Sequence, residues 1–209
     1  MKKVKKYEPY KFFFDRLFAL AILIIFFPIL TLISILIWIE DFKTPFFIQV
    51  RVGKNAKEFK IIKFRTMFIN ADNLLDSSGN VTSNRITRVG RFLRRYSIDE
   101  LPQLINILKG EMSFIGPRPA LKSHFFRYTE RQKRRLDVLP GITGLAQVNG
   151  RNTIPWTKRI DYDLMYIDRI NFLLDLKIIY KTFSIVFSGR GVVLDRNQKK
   201  MDDLKNHGP

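Results

Sequence analysis

The chain has 209 residues, with 37 Lys+Arg against 19 Asp+Glu and a formal net charge of +18. It contains no cysteine and only two histidines, His124 and His207, which excludes disulfides, thiolate nucleophiles and Cys-ligated zinc and argues against a Ser-His-Asp triad or a multi-histidine metal site. The positive excess calls for a polyanionic partner (nucleic acid, an anionic membrane or a phosphorylated substrate), and any catalysis falls to carboxylates, Lys, Arg, Tyr and a hard metal ion.

Residues 17–39, LFALAILIIFFPILTLISILIWI, carry no charge and are long enough for a bilayer, where about 20 residues suffice. The run exceeds a signal-peptide core and no small-residue cleavage site follows. Pro28, near its middle, removes a helical hydrogen bond and crowds the carbonyl of Ile24. Lys2, Lys3, Lys5, Lys6, Lys11 and Arg16 precede the run, and Lys43, Arg51, Lys54, Lys57 and Lys60 follow it. Basic residues prefer the cytoplasmic side. A helix-break-helix hairpin with both ends in the cytoplasm satisfies both flanks, whereas a Pro-kinked spanning helix, which membranes also tolerate, satisfies one.

Residues 45–67, PFFIQVRVGKNAKEFKIIKFRTM, read as two strands around a Gly-Lys-Asn turn. Within them Lys63 and Arg65 fall on one face of the second strand, as on any exposed strand. Residues 70–85 are rich in Asn, Ser and Gly and read as loop. In RITRVGRFLRRYS (85–97), Ile86, Val89, Phe92, Leu93 and Tyr96 share one helical face and most arginines the other. That pattern suits a membrane interface, though an ordinary surface helix with a solvated basic face has it too. FLLDLKIIYKTFSIVF (172–187) is more apolar than one buried face requires and invites the same interpretation.

SIDELPQLINILKGEMSFIGPRP (97–119) opens on two adjacent carboxylates, Asp99 and Glu100. Ser97 to Glu100 matches the S-x-x-E capping box, which would make the acids structural. Pro102 opposes that reading: with Ser97 as cap it would be the fifth helical residue, so the cap is expected at Asp99, Glu100 or Leu101. An N-cap role for Asp99 stays open. Beside a helix N-terminus and several arginines, both acids are expected to be ionised at neutral pH, at or below the ordinary Asp value of about 3.9. An ionised Asp can attack phosphorus, and an adjacent Glu can hold Mg²⁺. In the Gly-Pro-Arg-Pro turn, Pro117 and Pro119 restrict the backbone so that Arg118 presents its planar fork to a phosphate. PGITGLAQVNGRN (140–152) is a Gly-rich loop ending in Arg151; taken alone it is a weak phosphate signal, and it matches neither a Walker A nor a dinucleotide fingerprint.

KFRTM, SIDELPQLINILKGEMSFIGPRP and PGITGLAQVNGRN, in that order and spacing, resemble the bacterial sugar transferases called monotopic phosphoglycosyl transferases, in their small, single-catalytic-domain form. The resemblance runs from the apolar segment to about residue 190. It implies transfer of a sugar-1-phosphate from a UDP-sugar to undecaprenyl phosphate with release of UMP, through a covalent phosphosugar-aspartate intermediate and with Mg²⁺ as cofactor. Asp99 would be the nucleophile and Glu100 its metal-associated partner. Arg94, Arg118 with Pro117 and Pro119, and Arg151 would bind substrate phosphates or nucleotide, and Lys63 and Asp163 fall at matching positions. The partners implied are a UDP-sugar, undecaprenyl phosphate and membrane lipid, with no nucleic acid, at the cytoplasmic face of the bacterial inner membrane. Relatives often carry Ser-Pro at the hairpin break where this chain has Phe27-Pro28; Thr31 or Ser34 would have to supply the missing hydroxyl.

The fold class expected is α/β, mostly α. It comprises a basic N-terminus and re-entrant membrane hairpin over 1–40, a small cytoplasmic catalytic domain with a short β-hairpin and interfacial amphipathic helices over 41–190, and a C-terminal tail over 191–209. The alternative function is a non-catalytic, basic, membrane-tethered protein that binds anionic lipid or nucleic acid; it accounts for the charge but leaves the Asp-Glu pair and the Pro-Arg-Pro turn without a purpose. A multi-span lipid phosphotransferase of the CDP-alcohol type would need several membrane helices and a multi-aspartate motif, which the sequence does not show.

Overall fold

The structure, a computed structural model, describes residues 2–69, 85–150, 153–188 and 203–204. The expected loop over 70–85 therefore lies outside the described residues except for Arg85, as does most of the tail.

The apolar segment belongs to one helix, α1 (Lys2–Asp41), which runs through both Pro9 and Pro28. No non-helical segment interrupts α1 at Phe27-Pro28, as residues on both sides of the proline are helical. Thr31 Oγ1 donates to the Phe27 carbonyl (2.9 Å) and Ser34 Oγ to that of Leu30 (2.8 Å). These bonds to the preceding turn bend helices, but neither hydroxyl reaches the Ile24 carbonyl that the proline deprives of a donor. Burial follows helical spacing: Lys11, Asp15, Ala19 and Ile37 are buried, with Ile22, Leu23, Leu30 and Ile33 partly so. Ile24, Ile25, Phe26, Phe27 and Ile29 are all exposed. No soluble core helix leaves such a run bare, and α1 is long and apolar enough to cross a membrane. The chain is thus mostly helical, with one long apolar N-terminal helix suited to membrane association.

The two expected strands form an antiparallel hairpin, β1 (Phe46–Val52) and β2 (Glu58–Phe64), with Phe46 opposite Phe64 and Val52 opposite Glu58. The turn is a short 3-10 segment, Lys54–Ala56, in which Asn55 takes a left-handed conformation (φ 55°). β2 buries Phe59, Ile61 and Phe64, whereas β1 exposes Phe46, Phe47 and Ile48. Helix α2 (Arg88–Arg95) starts at Thr87, whose Oγ1 accepts from the Gly90 N–H. It lies so close to the KFRTM backbone that a Cβ on Gly90 would stand 2.3 Å from the Thr66 carbonyl oxygen.

After α2, a 3-10 segment (Ile98–Gln103) leads into α3 (Leu104–Leu108). The winding begins earlier than Pro102 suggests, yet the α-type ladder waits until after the proline. Asn106 at 0 % exposure fastens α3 to β2: its Nδ2 donates to the Lys60 carbonyl (2.8 Å) and its Oδ1 accepts from the Ile62 N–H (3.1 Å). These bonds pair main-chain groups of β2 with α3, and an unpaired buried amide would cost ~1–3 kcal/mol. A second, parallel pair joins β3 (Ser113–Ile115) to β4 (Gly141–Thr143). Short helices α4 (Lys122–Phe125), α5 (Glu130–Lys133) and α6 (Leu145–Val148) link these elements to α7 (Trp156–Arg169) and α8 (Phe172–Ser188).

The main core packs Val52, Ile115, Leu136 and Val138 against Ile160, Leu164, Tyr166 and Ile178 of α7 and α8. α8 turns Phe172, Leu173, Tyr180 and Phe187 outward, and Phe92 of α2 is likewise exposed. Of the tail, Leu204 is buried in this core and the Asp203 carboxylate accepts from the Thr157 N–H (3.0 Å) at the head of α7, where Pro155 offers no capping side chain.

The β3–β4 contact depends on missing side chains. A Cβ on Gly141 would lie 2.1 Å from the Gly116 nitrogen, and one on Gly116 would lie 2.3 Å from the Leu139 carbonyl oxygen. Gly141→Ala is therefore expected to destabilise by about 1–3 kcal/mol or more through overpacking. Gly53→Ala, which meets the Phe59 ring at 3.1 Å, should cost less. Thermal unfolding of both variants in lipid nanodiscs measures the difference.

Candidate active site

The Asp99–Glu100 pair stands in the first turn of the 3-10 segment, after Ser97 in a left-handed conformation (φ 56°) with no side-chain cap. Glu100 does not close a capping box. Its Oε1 accepts from Lys63 Nζ (2.6 Å) and from Arg118 Nη2 (3.0 Å). Three elements that are distant in sequence, β2, the 3-10 segment and the Gly-Pro-Arg-Pro turn, thus meet on one carboxylate oxygen. Burial opposes the charge on Glu100, but Lys63 and Arg118 outweigh it and hold its pKa down at about 2.

Asp99 behaves oppositely. Burial, and then the neighbouring charge of Glu100, push its pKa up to about 6, against the pull of Lys63, Arg94 and Arg118. The expectation that both acids sit low is thus corrected for Asp99. The arginines are near, but they are committed elsewhere: Arg118 to Glu100, and Arg94 through Nε to Thr66 Oγ1 (2.7 Å). Among the described residues no side chain donates a hydrogen bond to the Asp99 carboxylate, so desolvation is not compensated. The result is a carboxylate still largely ionised at neutral pH but basic and unshielded.

KFRTM divides its work residue by residue. Lys63 reaches Glu100, Arg65 forms a bidentate pair with Asp41 at the end of α1, and Thr66 holds Arg94. Lys63 and Arg65 therefore serve different ends of the molecule.

The Pro-Arg-Pro turn is held from behind. Pro117 and Pro119 are buried; the Gly141 N–H donates to the Pro117 carbonyl (2.9 Å), and Arg135 Nη2 donates to the Arg118 carbonyl (3.0 Å). Arg135 is itself buried with Asp163 at 2.7 Å, the two side chains 1 % and 2 % exposed, and its other arm donates to the Tyr128 hydroxyl. Asp163 thus stands behind the turn rather than beside Asp99; burial pushes its pKa up to about 6 while Arg135 and then Arg159 pull against that. The glycines of the 140–152 stretch admit this packing: Gly141 admits β3, and a Cβ on Gly144 would meet the Gly116 carbonyl oxygen at 2.2 Å. Arg151 lies outside the described residues.

Lys63, Arg94, Asp99, Glu100 and Arg118 therefore converge, with Pro117 and Pro119 framing the last of them. Thr66, Tyr128 and Arg135 join them without having been anticipated. Arg135 sits in the run RQKRR, where nothing local distinguishes the one buried arginine from its solvated neighbours. Among the described residues no group of three or more His, Cys, Asp or Glu could hold a metal. The Asp99–Glu100 pair suits a cation such as Mg²⁺, which uses one or two carboxylates and completes its shell with phosphate and water oxygens; Glu100 bonds both cations through Oε1, which leaves Oε2 for that role.

A profile described as bacterial sugar transferase matches residues 6–189. Among similar proteins is an uncharacterized sugar transferase, EpsL, of Bacillus subtilis, 49% identical over 149 residues that cover 70% of this chain and 72% of that one. The exopolysaccharide production protein ExoY of Rhizobium meliloti is 36% identical over 85% of both chains. A UDP-glucose:undecaprenyl-phosphate glucose-1-phosphate transferase of Klebsiella pneumoniae is 42% identical over 84% of this chain and 39% of its own.

The raised Asp99 pKa carries a stability prediction. The carboxyl is protonated in both folded and unfolded states well below the ordinary aspartate value of about 3.9 and costs nothing there; the cost grows as pH rises towards about 6 and is constant above. Asp99→Asn should therefore raise stability at neutral pH by on the order of 2–3 kcal/mol, with the advantage vanishing near pH 3–4. Denaturation of the two proteins across that pH range checks it.

Proposed function

The chain belongs to the bacterial sugar transferase family, and we propose that it transfers a sugar-1-phosphate from a UDP-sugar to undecaprenyl phosphate with release of UMP. The observation that carries this reading is the unlike pair at residues 99 and 100: one carboxylate clamped by two cations, its neighbour unbonded and raised. A pair serving only as a helix cap would not divide in this way.

In the proposed reaction an Asp99 carboxylate oxygen attacks the phosphorus that bears the sugar. The bond from that phosphorus to the bridging oxygen breaks, UMP departs with the electron pair, and a phosphosugar-aspartate remains. A phosphate oxygen of undecaprenyl phosphate then attacks the same phosphorus and expels Asp99, giving the polyprenyl diphosphate sugar. Arg118 and Lys63 hold Glu100 and offer positive charge where oxygen charge builds up. Arg94, held by Thr66, keeps the approach to Asp99 cationic. Glu100 is the residue that would hold Mg²⁺, which when bound supplies charge neutralisation for phosphate oxygens. Pro117 and Pro119 fix the presentation of Arg118, and Asp163 acts through Arg135 on the same turn. Arg151 follows the Gly144–Gly150 stretch and is assigned to the nucleotide by resemblance alone.

We place the enzyme at the cytoplasmic face of the inner membrane, with α1 entering and leaving on that side. Supporting this, both ends of α1 bond to the same water-facing body: Glu8 to Lys54 and Lys11 to Asp175 near its start, Asp41 to Arg65 at its end. A bilayer cannot separate two ends joined to one body, and the basic flanks favour the cytoplasm.

Two experiments test the reading. Detergent-purified protein with Mg²⁺, a panel of UDP-sugars and undecaprenyl phosphate should release UMP only with lipid present at multiple turnover, and Asp99→Asn should abolish it. The wild-type rate should fall as pH is lowered through the range in which Asp99 takes up its proton, because the nucleophile must be ionised. UMP release that survives in Asp99→Asn would overturn the assignment. For topology, the chain has no cysteine of its own, so Tyr10→Cys and Phe42→Cys, both 69% exposed, can be probed singly. A membrane-impermeant maleimide should label both from the cytoplasmic side and neither from outside.

A further inference from the structure

Outside the residues already assigned, the half-buried Arg51 has no carboxylate bonded to it among the described residues. Arg51, near the end of β1, makes one side-chain hydrogen bond among the described residues, from Nη2 to the neutral Gln49 Oε1 (2.5 Å). Its Nε is buried with no partner. The end of β1 is tied to the Pro-Arg-Pro turn by paired main-chain bonds, Val52 N–H to the Ala120 carbonyl (3.0 Å) and Ala120 N–H to that of Val52 (3.2 Å). Burial, and then the like charge of Arg118, depress the Arg51 pKa to about 10, with Glu100 and Tyr128 acting more weakly in the opposite sense. Glu100, the carboxylate that acts on Arg51 among the described residues, is already bonded to Lys63 and Arg118.

Two neighbouring, half-buried guanidinium groups, one of them without a counter-ion among the described residues, repel each other unless an anion arrives from outside. Around this point four cations, Arg51, Lys63, Arg94 and Arg118, face two carboxylates, Asp99 and Glu100. The planar fork of arginine matches phosphate oxygens in pairs. We propose that Arg51 and Arg118 together form a phosphate-binding cradle for a substrate, in which the anion joins the two forks and Arg51 contacts it directly. The assignment rests on the transferase reading for which phosphate is bound: the donor's diphosphate or the lipid's phosphate.

The test compares full-length wild-type protein with Arg51→Gln and Arg51→Lys, using two readouts. The first is the thermal shift caused by inorganic pyrophosphate, which needs no turnover. The second is the separate KM for UDP-sugar and for undecaprenyl phosphate. Without ligand, Arg51→Gln should melt no earlier than wild type, since a half-buried cation with no bonded anion is gone. It should lose the pyrophosphate shift and raise one KM by about 10- to 100-fold, the loss expected for a charged hydrogen bond; Arg51→Lys, which keeps the charge without the fork, should fall between. A rise confined to the UDP-sugar assigns the donor, and one confined to the lipid assigns the acceptor; both support the cradle. An unchanged pyrophosphate shift with both KM values unchanged, in whichever of the two variants is folded, overturns it. A pyrophosphate shift in wild-type protein that releases no UMP would fail the transfer reaction and leave the cradle standing.

Discussion

One oxygen atom, Oε1 of Glu100, joins the parts of this molecule that matter for chemistry. Lys63 comes to it from a strand, Arg118 from a turn after another strand, and Glu100 itself from the 3-10 segment between them. A buried carboxylate with one partner would be expensive; with two it is ionised far below neutral pH and holds three chain segments in register. The same bonds leave Asp99 unserved. Its neighbour's charge and its burial make it a stronger base than a surface aspartate, and that division of labour between adjacent residues follows from which one the cations reach.

The turn that delivers Arg118 needs support, because an exposed Pro-Arg-Pro would present its arginine in many directions. Support comes from a fully buried second layer, Tyr128, Arg135 and Asp163, acting on the Arg118 carbonyl, and from glycines that let β4 approach. A buried ion pair of this kind is weak as a source of stability. Here it specifies the position of a backbone carbonyl, which apolar packing cannot do. Asn106 plays the corresponding part for the acidic pair by bonding the helix after it to the strand that carries Lys63.

The membrane helix is an integral part of this assembly rather than an appended anchor. Ala19 packs in the same cluster as Phe59, Ile61 and Leu104, and Ile37 in that of Phe64 and Leu93. Lys11 pairs with Asp175 of α8, and Asp15 accepts from Ser113 Oγ (2.5 Å) at the start of the strand that leads to Arg118. In the proposed arrangement, embedding α1 and the apolar face of α8 in lipid sets the height of Asp99 above the bilayer. A soluble nucleotide and a lipid phosphate can meet only in that layer.

Local chemistry made much of this legible from sequence. Composition alone identifies residues 17–39 as membrane-suited, alternation identifies the β-hairpin, and the rarity of acids in a basic chain draws attention to Asp99 and Glu100. Such features are properties of neighbouring residues. The continuity of α1 through Pro28 was not legible, since a proline's local cost can be absorbed by the rest of a helix. Nor was the raised pKa of Asp99, which depends on how Lys63, Arg94 and Arg118 are shared, or the choice of Arg135 from a run of basic residues. The glycines at 141 and 144, part of a stretch that taken alone is a weak phosphate signal, serve close backbone packing. Sequence by itself determined the membrane-seeking segment, the first β-hairpin and the amphipathic helices, and which residue types could carry phosphoryl chemistry; β3, β4 and α7 carried no comparable local signal. Tertiary structure alone decided which charges are paired, because pairing depends on distances between segments that the chain brings together only when folded.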